Sequence, residues 1–234
     1  MEQAPCISQI ATLLADPKRT ALIWALMDGS AKTIDELAVL AGVSPPSANA
    51  HLTRLAASGL LRVEARGSKR FFRVAAADVS AAVDALASTT MASFTRRAPT
   101  TSEPLIAPAA LRQARLCHGH LGGEIAASLY RRMLVAGWIE RQEQRIGVSP
   151  KGARKLAGLG VFTQSLAQNC NAPVACDCFD WSEQQPHLGG AVGAALLQLF
   201  MQSNWISGVN DSRALQVTQT GQLEINRLAA PEVP

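Results

Sequence analysis

The sequence predicts a mainly α fold carrying small β-wings, on three observations. Apolar stripes at helical spacing recur along the chain, opened by Ser, Thr or Asp and often closed by glycine. Two of these helices are joined by a glycine turn and followed by a basic hairpin, the order of a winged helix-turn-helix. The second half then repeats itself in the order helix, strand, turn, strand, helix. The expected architecture is an N-terminal winged helix-turn-helix and a C-terminal module of two winged-helix-like repeats.

Residues from Ile7 to Leu14 place apolar side chains at helical spacing. Asp16-Pro17 caps the next helix, since proline in a first turn lacks only an N–H that has no helical partner. Leu22, Ile23, Leu26 and Met27 form that helix's buried stripe, and Gly29 is expected to end it. Thr33-Ile34-Asp35-Glu36 is a capping box opening a short helix through Leu37 and Leu40. Gly42-Val43-Ser44 is a tight turn, and Ser44 caps a helix that begins with Pro45. Leu52 and Leu55 hold its inner side, and Ser58-Gly59-Leu60 closes it with a left-handed glycine. Leu61 to Ala65 alternates as a strand, Arg66-Gly67-Ser68-Lys69-Arg70 turns, and Phe71 to Val74 returns. An alanine-rich helix follows, from Asp78 to Arg97.

Ser44, Ser47, Asn49, His51 and Arg54 can hydrogen-bond phosphates or base edges from the second helix of the pair. Arg66, Lys69 and Arg70 at the hairpin tip are placed to track a phosphate backbone. The net charge of +4 and the four arginines between Arg96 and Arg115 agree with a polyanionic partner. The expected partner is a double-stranded DNA operator.

IATLLADPKRTALIWALMDG, TIDELAVLAGVSPPSANAHLTRLAASGLL and RGSKRFFRVA together resemble the arsenic-repressor (ArsR) family of winged-helix transcription regulators. The resemblance implies a homodimer formed by the first and last helices of the domain, with residues 44–58 as the recognition helix in a major groove. Many relatives sense metals with a cysteine pair before the recognition helix, but TIDELAVLAGV has no cysteine. Others use histidines on the last helix, and ADVSAAVDALASTTMASF has none. Any sensing function is therefore expected elsewhere in the chain.

With 234 residues there is length for two domains. Residues 1–97 are expected to form the DNA-binding and dimerisation domain, 98–107 a linker and 108–234 the sensor module. Its repeats span about 111–160 and 178–228. HLGGEIAASLYRRMLVAGWI, from His120, aligns without a gap with HLGGAVGAALLQLFMQSNWI, from His187. Ile125, Leu129, Met133 and Leu134 fall against Val192, Leu196, Phe200 and Met201, a buried stripe in both copies. Gly137 and Asn204 suit left-handed caps, and Ser149 and Thr218 open the second helix of each repeat. LRQARLCHGHLGG and CFDWSEQQPHLGG resemble a regulator subgroup with a second module after the ArsR-type domain. Cys117, His120, Cys178, Asp180, Trp181 and His187 have counterparts in that pattern; Cys170 and Cys176 look like additions, and His118 stands where an aromatic is more usual.

His120 and His187 read as matching helix starts, where a histidine has a structural role, and their glycines allow close packing of the copies or an anion pocket. Asp180-Trp181-Ser182-Glu183 reads as a helix cap and turn. The cysteines leave three readings open. Cys117 and Cys178 are small buried hydrophobes. Alternatively, with His120 and His187 they converge on zinc or another thiophilic ion. In the third, Cys176 and Cys178, one residue apart, chelate a thiophilic metal or form with Cys117 a thiol switch answering an oxidant. Five cysteines without a secretory signal, and an apolar run around 189–201 too short to span a bilayer, lead us to expect a cytoplasmic protein with no membrane partner.

No phosphate loop, nucleophile elbow or HExxH motif is present, so no enzyme is expected. The sequence points to a dimeric repressor released by a metal ion, an oxidant or a small-molecule inducer sensed through the C-terminal Cys/His region. The alternative is a metal- or small-molecule-binding module whose DNA-binding half is vestigial.

Overall fold

The computed structural model describes residues 7–94, 108–142, 145–169, 173–209 and 212–230. Cys6, Cys170, the linker at 98–107 and the last turn expected of the alanine-rich helix lie outside them. The described chain forms two compact units, residues 7–83 with 108 and 212–213, and residues 84–94, 109–209 and 214–230.

The first unit runs α1 (Ile7–Leu14), α2 (Pro17–Ala25), β1 (Lys32–Thr33), α3 (Ile34–Leu40), α4 (Pro45–Ala57), β2 (Leu61–Arg66), β3 (Lys69–Val74) and the start of α5 (Ala77–Phe94). Its caps follow the sequence. Asp16 accepts from the N–H groups of Lys18 and Arg19, Thr33 and Glu36 close a reciprocal capping box, and Ser44 accepts from Ser47. α2 stops at Ala25, four residues before Gly29, because the chain turns through hydrogen-bonded 26–28 before Gly29 takes its positive φ. Leu22, Leu26, Leu37, Leu52, Leu55 and Phe72 are fully buried and make the core. The wing pairs from Leu61↔Val74 to Arg66↔Lys69, and β1 joins it through Lys32↔Phe72, giving the order β1-β3-β2.

The second unit takes the rest of α5, then α6 (Ala109–Gln113), β4 (Arg115–Cys117), β5 (His120–Gly122), α7 (Glu124–Val135), β6 (Ile139–Gln142), β7 (Arg145–Val148), α8 (Pro150–Ala157) and α9 (Thr163–Asn169). It continues with β8 (Cys176–Asp180), β9 (Gln185–Gly189), α10 (Gly190–Gln202), β10 (Ile206–Gly208), β11 (Leu215–Val217) and α11 (Gln219–Arg227). Each repeat is thus a hairpin, a helix, a second hairpin and a second helix. Ile125, Leu129 and Met133 share one core with Val192, Leu196 and Phe200, while Met201 in the last turn of α10 is exposed. Helix α7 packs on β9 and α10 on β5, so each copy's helix covers the other's hairpin.

His120 and His187 do not start helices. They sit on β5 and β9, and the helices begin at Glu124 and Gly190. The glycines after them explain the shift. Gly123 and Gly190 have φ of +95° and +79°, and a Cβ there would lie 2.7 Å from Arg112 O and 2.5 Å from Pro173 O. That close backbone approach ends the strand and admits the helix only at glycine.

Ser149 caps α8 by accepting from Gly152 N–H at 2.9 Å and donates to Gly137 O at 2.5 Å. Thr218 repeats the cap at α11, accepting from Gly221 N–H at 2.9 Å. Ser149→Ala is expected to cost about 1–2 kcal/mol, seen as a lower urea midpoint at unchanged slope.

Candidate functional site

Two groups of side chains stand apart from the cores, one in each unit. In the first unit, Ser44 and Arg54 are exposed on α4, Ser47 and Asn49 are half-buried, and Arg66, Lys69 and Arg70 are exposed on the wing. Arg70 reaches back from β3 and donates to Asn49 Oδ1 at 2.8 Å, so helix and wing already touch through two candidate contacts. Arg66 pairs with Glu64 at 2.7 Å and lies over the Phe71 ring, 4.9 Å from its centroid. The Arg66 hydrogen bond holds the Glu64 carboxyl below the usual carboxylate range. His51 is placed differently: its Nδ1 faces Asp16 Oδ2 at 4.0 Å, toward the start of α2. Its spacing from Asn49 turns it to another side of the helix, away from the Arg70 contact.

In the second unit, β4 and β5 are joined by His118-Gly119, both with positive φ, a two-residue turn of the mirror-image type that matches strand twist. This turn sets Cys117 directly across from His120. In the other repeat, β8 and β9 set Cys178 across from His187 in the same way. The sequence separations differ, three residues against nine, only because the second hairpin is longer. In register the two Cys–His pairs are equivalent.

The pairs meet. Cys117 Sγ lies 3.7 Å from Cys178 Sγ, and His120 Nε2 lies 3.1 Å from His187 Nε2. All four donor atoms fall within 4.8 Å of one another. Like meeting like across the repeats is the relation of an approximate two-fold. Cys117, His120 and His187 are buried and Cys178 half-buried. The Cys178 hydrogen bond, then burial, push the Cys117 thiol up to about 12, against the two imidazoles.

Cys176 does not join this group. It pairs with Gly189, as Arg115 pairs with Gly122, so Cys176 is the second repeat's counterpart of Arg115, two register positions from the Cys–His pair. A second set of donors, Asp84, Cys117 and His118, shares Cys117 with the four. In it Asp84 already accepts from Trp181 Nε1 and lies 3.5 Å from Arg115 Nε.

Sequence reasoning counted Arg115 only among the arginines suited to a polyanionic partner, whereas it is buried and paired with Asp180. It is 1% exposed, stacked 4.3 Å from the Trp181 ring centroid, 3.0 Å from Asp180 Oδ2 and hydrogen-bonded to Ser182 Oγ at 3.1 Å. The one available signal was an arginine two residues before a cysteine in an otherwise apolar strand. Asp180 ends β8 rather than capping a helix: its Oδ1 takes the N–H groups of Ser182 and Glu183, and its Oδ2 takes Gly123 N–H at 2.6 Å. The start of α7, a place suited to an anion, is thus occupied by a carboxylate from the other repeat. His187 Nδ1 faces the same Oδ2 at 3.6 Å. Beside this cluster Tyr130 donates to Asp177, and Arg141 binds Asp177 at 2.7 Å.

Among the described residues, no helix is long and apolar enough to cross a membrane. No family model matches the chain. It is 30% identical over 223 residues to an uncharacterised HTH-type transcriptional regulator, YdfF, of Bacillus subtilis, covering 95% of this chain and 96% of that one. Among solved structures, it is similar to the homodimeric winged helix-turn-helix domain of Mb0332 from Mycobacterium bovis, a possible ArsR-family regulator. The identity is 18% and the TM-score 0.34, covering 42% of this chain and 87% of that one. The transcriptional repressor BigR from Xylella fastidiosa is similar at 21% identity and a TM-score of 0.33, covering 40% and 88%.

Proposed function

Because the chain belongs to the HTH-type transcriptional regulators, we propose that it is an ArsR-type repressor that binds a pseudo-palindromic operator as a homodimer in the cytoplasm. The observation that carries this reading is the Arg70–Asn49 hydrogen bond, which makes the wing and the exposed side of α4 one polar surface. Ser44, Ser47, Asn49 and Arg54 would meet base edges and nearby phosphates; Arg66, Lys69 and Arg70 would hold flanking phosphates. His51, facing Asp16, would act by orienting α4. The dimer is supported by α1, which buries none of its residues within the chain and leaves Ile7 86% exposed. The inducer would act through Cys117, His120, Cys178 and His187, as a metal ion or by thiol modification. That cluster also supports the second reading, a ligand-binding module with a vestigial DNA-binding half.

Gel shift and anisotropy with the DNA upstream of the protein's own gene separate the two. Arg70→Ala is expected to weaken binding across sequences and lower the salt slope by about one. Asn49→Ala is expected to relax base discrimination by about 1–3 kcal/mol. Since the two side chains are bonded to each other, the double variant should fall short of the sum. Unchanged affinity in both single variants would overturn the operator-binding assignment.

A further inference from the structure

We infer that Cys117, His120, Cys178 and His187 form a closed tetrahedral zinc site that clamps the two repeats of the C-terminal unit together. The inference deepens the reading above; only its consequence for DNA rests on that reading, since metal content is measured without an operator.

Distances carry the argument. Zinc holds thiolate sulfur at about 2.3 Å and imidazole nitrogen at about 2.0–2.1 Å. In a tetrahedron those bonds set sulfur–sulfur edges of about 3.8 Å and nitrogen–nitrogen edges of about 3.3 Å. The observed edges are 3.7 Å and 3.1 Å. A disulfide would need the sulfurs at about 2.05 Å and would give the imidazoles no reason to meet. A hydrophobic core would not turn two ring nitrogens toward one point shared with two sulfurs. One cation at the centre accounts for all four directions.

Charge and surroundings agree. Two thiolates balance a divalent cation, so the loaded site is neutral, as burial demands. Two sulfurs and two nitrogens in a tetrahedron select zinc over the oxygen-preferring ions. Four protein donors leave no position for water or substrate, so the ion would hold the repeats together rather than carry a reaction. His187 Nδ1 faces Asp180 Oδ2 at 3.6 Å, so a carboxylate stands behind this imidazole as it does behind many metal-bound histidines. Gly189 sits where a Cβ would come within 3.0 Å of Cys176 Sγ and 3.3 Å of His120 Cε1, so the strand beside the site stays bare. Loading deprotonates both thiols, and their two protons leave to solvent as two metal–sulfur bonds form.

The test is elemental analysis of the full chain purified under reductant and dialysed against limiting zinc, with cobalt(II) as a spectroscopic substitute. The expected result is about one zinc per chain and the intense visible bands of tetrahedral thiolate-bound cobalt. Cys117→Ser and Cys178→Ser should lose stoichiometric zinc, and Cys176→Ser should keep it. Should the serine variants fail to fold, His187→Cys keeps four donors and should retain the metal with added sulfur-to-cobalt charge-transfer intensity. Wild-type chain without stoichiometric zinc, cobalt without tetrahedral bands, or zinc lost on Cys176→Ser alone would overturn the site. A zinc-loaded chain that ignores its operator would overturn the regulator reading and leave the site standing.

Discussion

Asp180→Ala is expected to destabilise the C-terminal unit by about 4 kcal/mol, a large share of a typical domain's stability. Burial pushes this carboxyl up, but Arg115, His187 and the Gly123 N–H outweigh it and hold the group below the usual carboxylate range. Removing it strands Arg115, 1% exposed, with Asp84 at 3.5 Å as its remaining ion-pair partner. It also leaves the Gly123 N–H, bonded at 2.6 Å, without its acceptor at the buried start of α7. Urea unfolding followed by tryptophan fluorescence reads the loss, since Trp181 stacks on the same guanidinium. Adding Arg115→Met should recover part of it, because the orphaned charge is then gone. A cost below about 1 kcal/mol would mean that water reaches the pair.

Gly152→Ala and Gly221→Ala are each expected to cost about 3 kcal/mol, although both glycines lie in helices where alanine is ordinarily preferred. A Cβ on Gly152 would lie 1.8 Å from Trp138 O, and one on Gly221 would lie 2.1 Å from Trp205 O. Both obstacles are backbone, so no rotamer change relieves them. The two repeats therefore press the same helix turn onto the same tryptophan carbonyl. Gly147→Ala is the control: nothing lies within 4 Å of its Cβ, and its thermal midpoint should scarcely move. Equal midpoints for all three variants would refute the close approach.

Much of this architecture was legible because it is local. Asp16, Thr33, Ser44, Ser149 and Thr218 bond to N–H groups two or three residues away, so their side chains announce helix starts directly. Gly59, Gly137 and Asn204 take the positive φ expected of them, and Gly42 takes one in its tight turn. What stayed hidden was short or distant. β4 and β5 have three residues each, too few to show alternation, so the apolar run of α7 absorbed HLGG into a helix. The Cys–His equivalence was obscured by counting along the chain, whereas strand register, which defines neighbours, is set by hairpin length. The Arg115–Asp180–Asp84 cluster joins residues far apart in sequence, and no local pattern foretells such a meeting.

The repeat has a consequence for ancestry. Each copy supplies one sulfur and one nitrogen, so a single copy would hold half of the proposed coordination shell. A chain of that length could complete the shell only by capturing a second molecule like itself, and its loading would then depend on protein concentration. Tandem duplication makes the same encounter intramolecular and removes that dependence. On that proposal, the repeat lets one chain do what two copies would otherwise have to do.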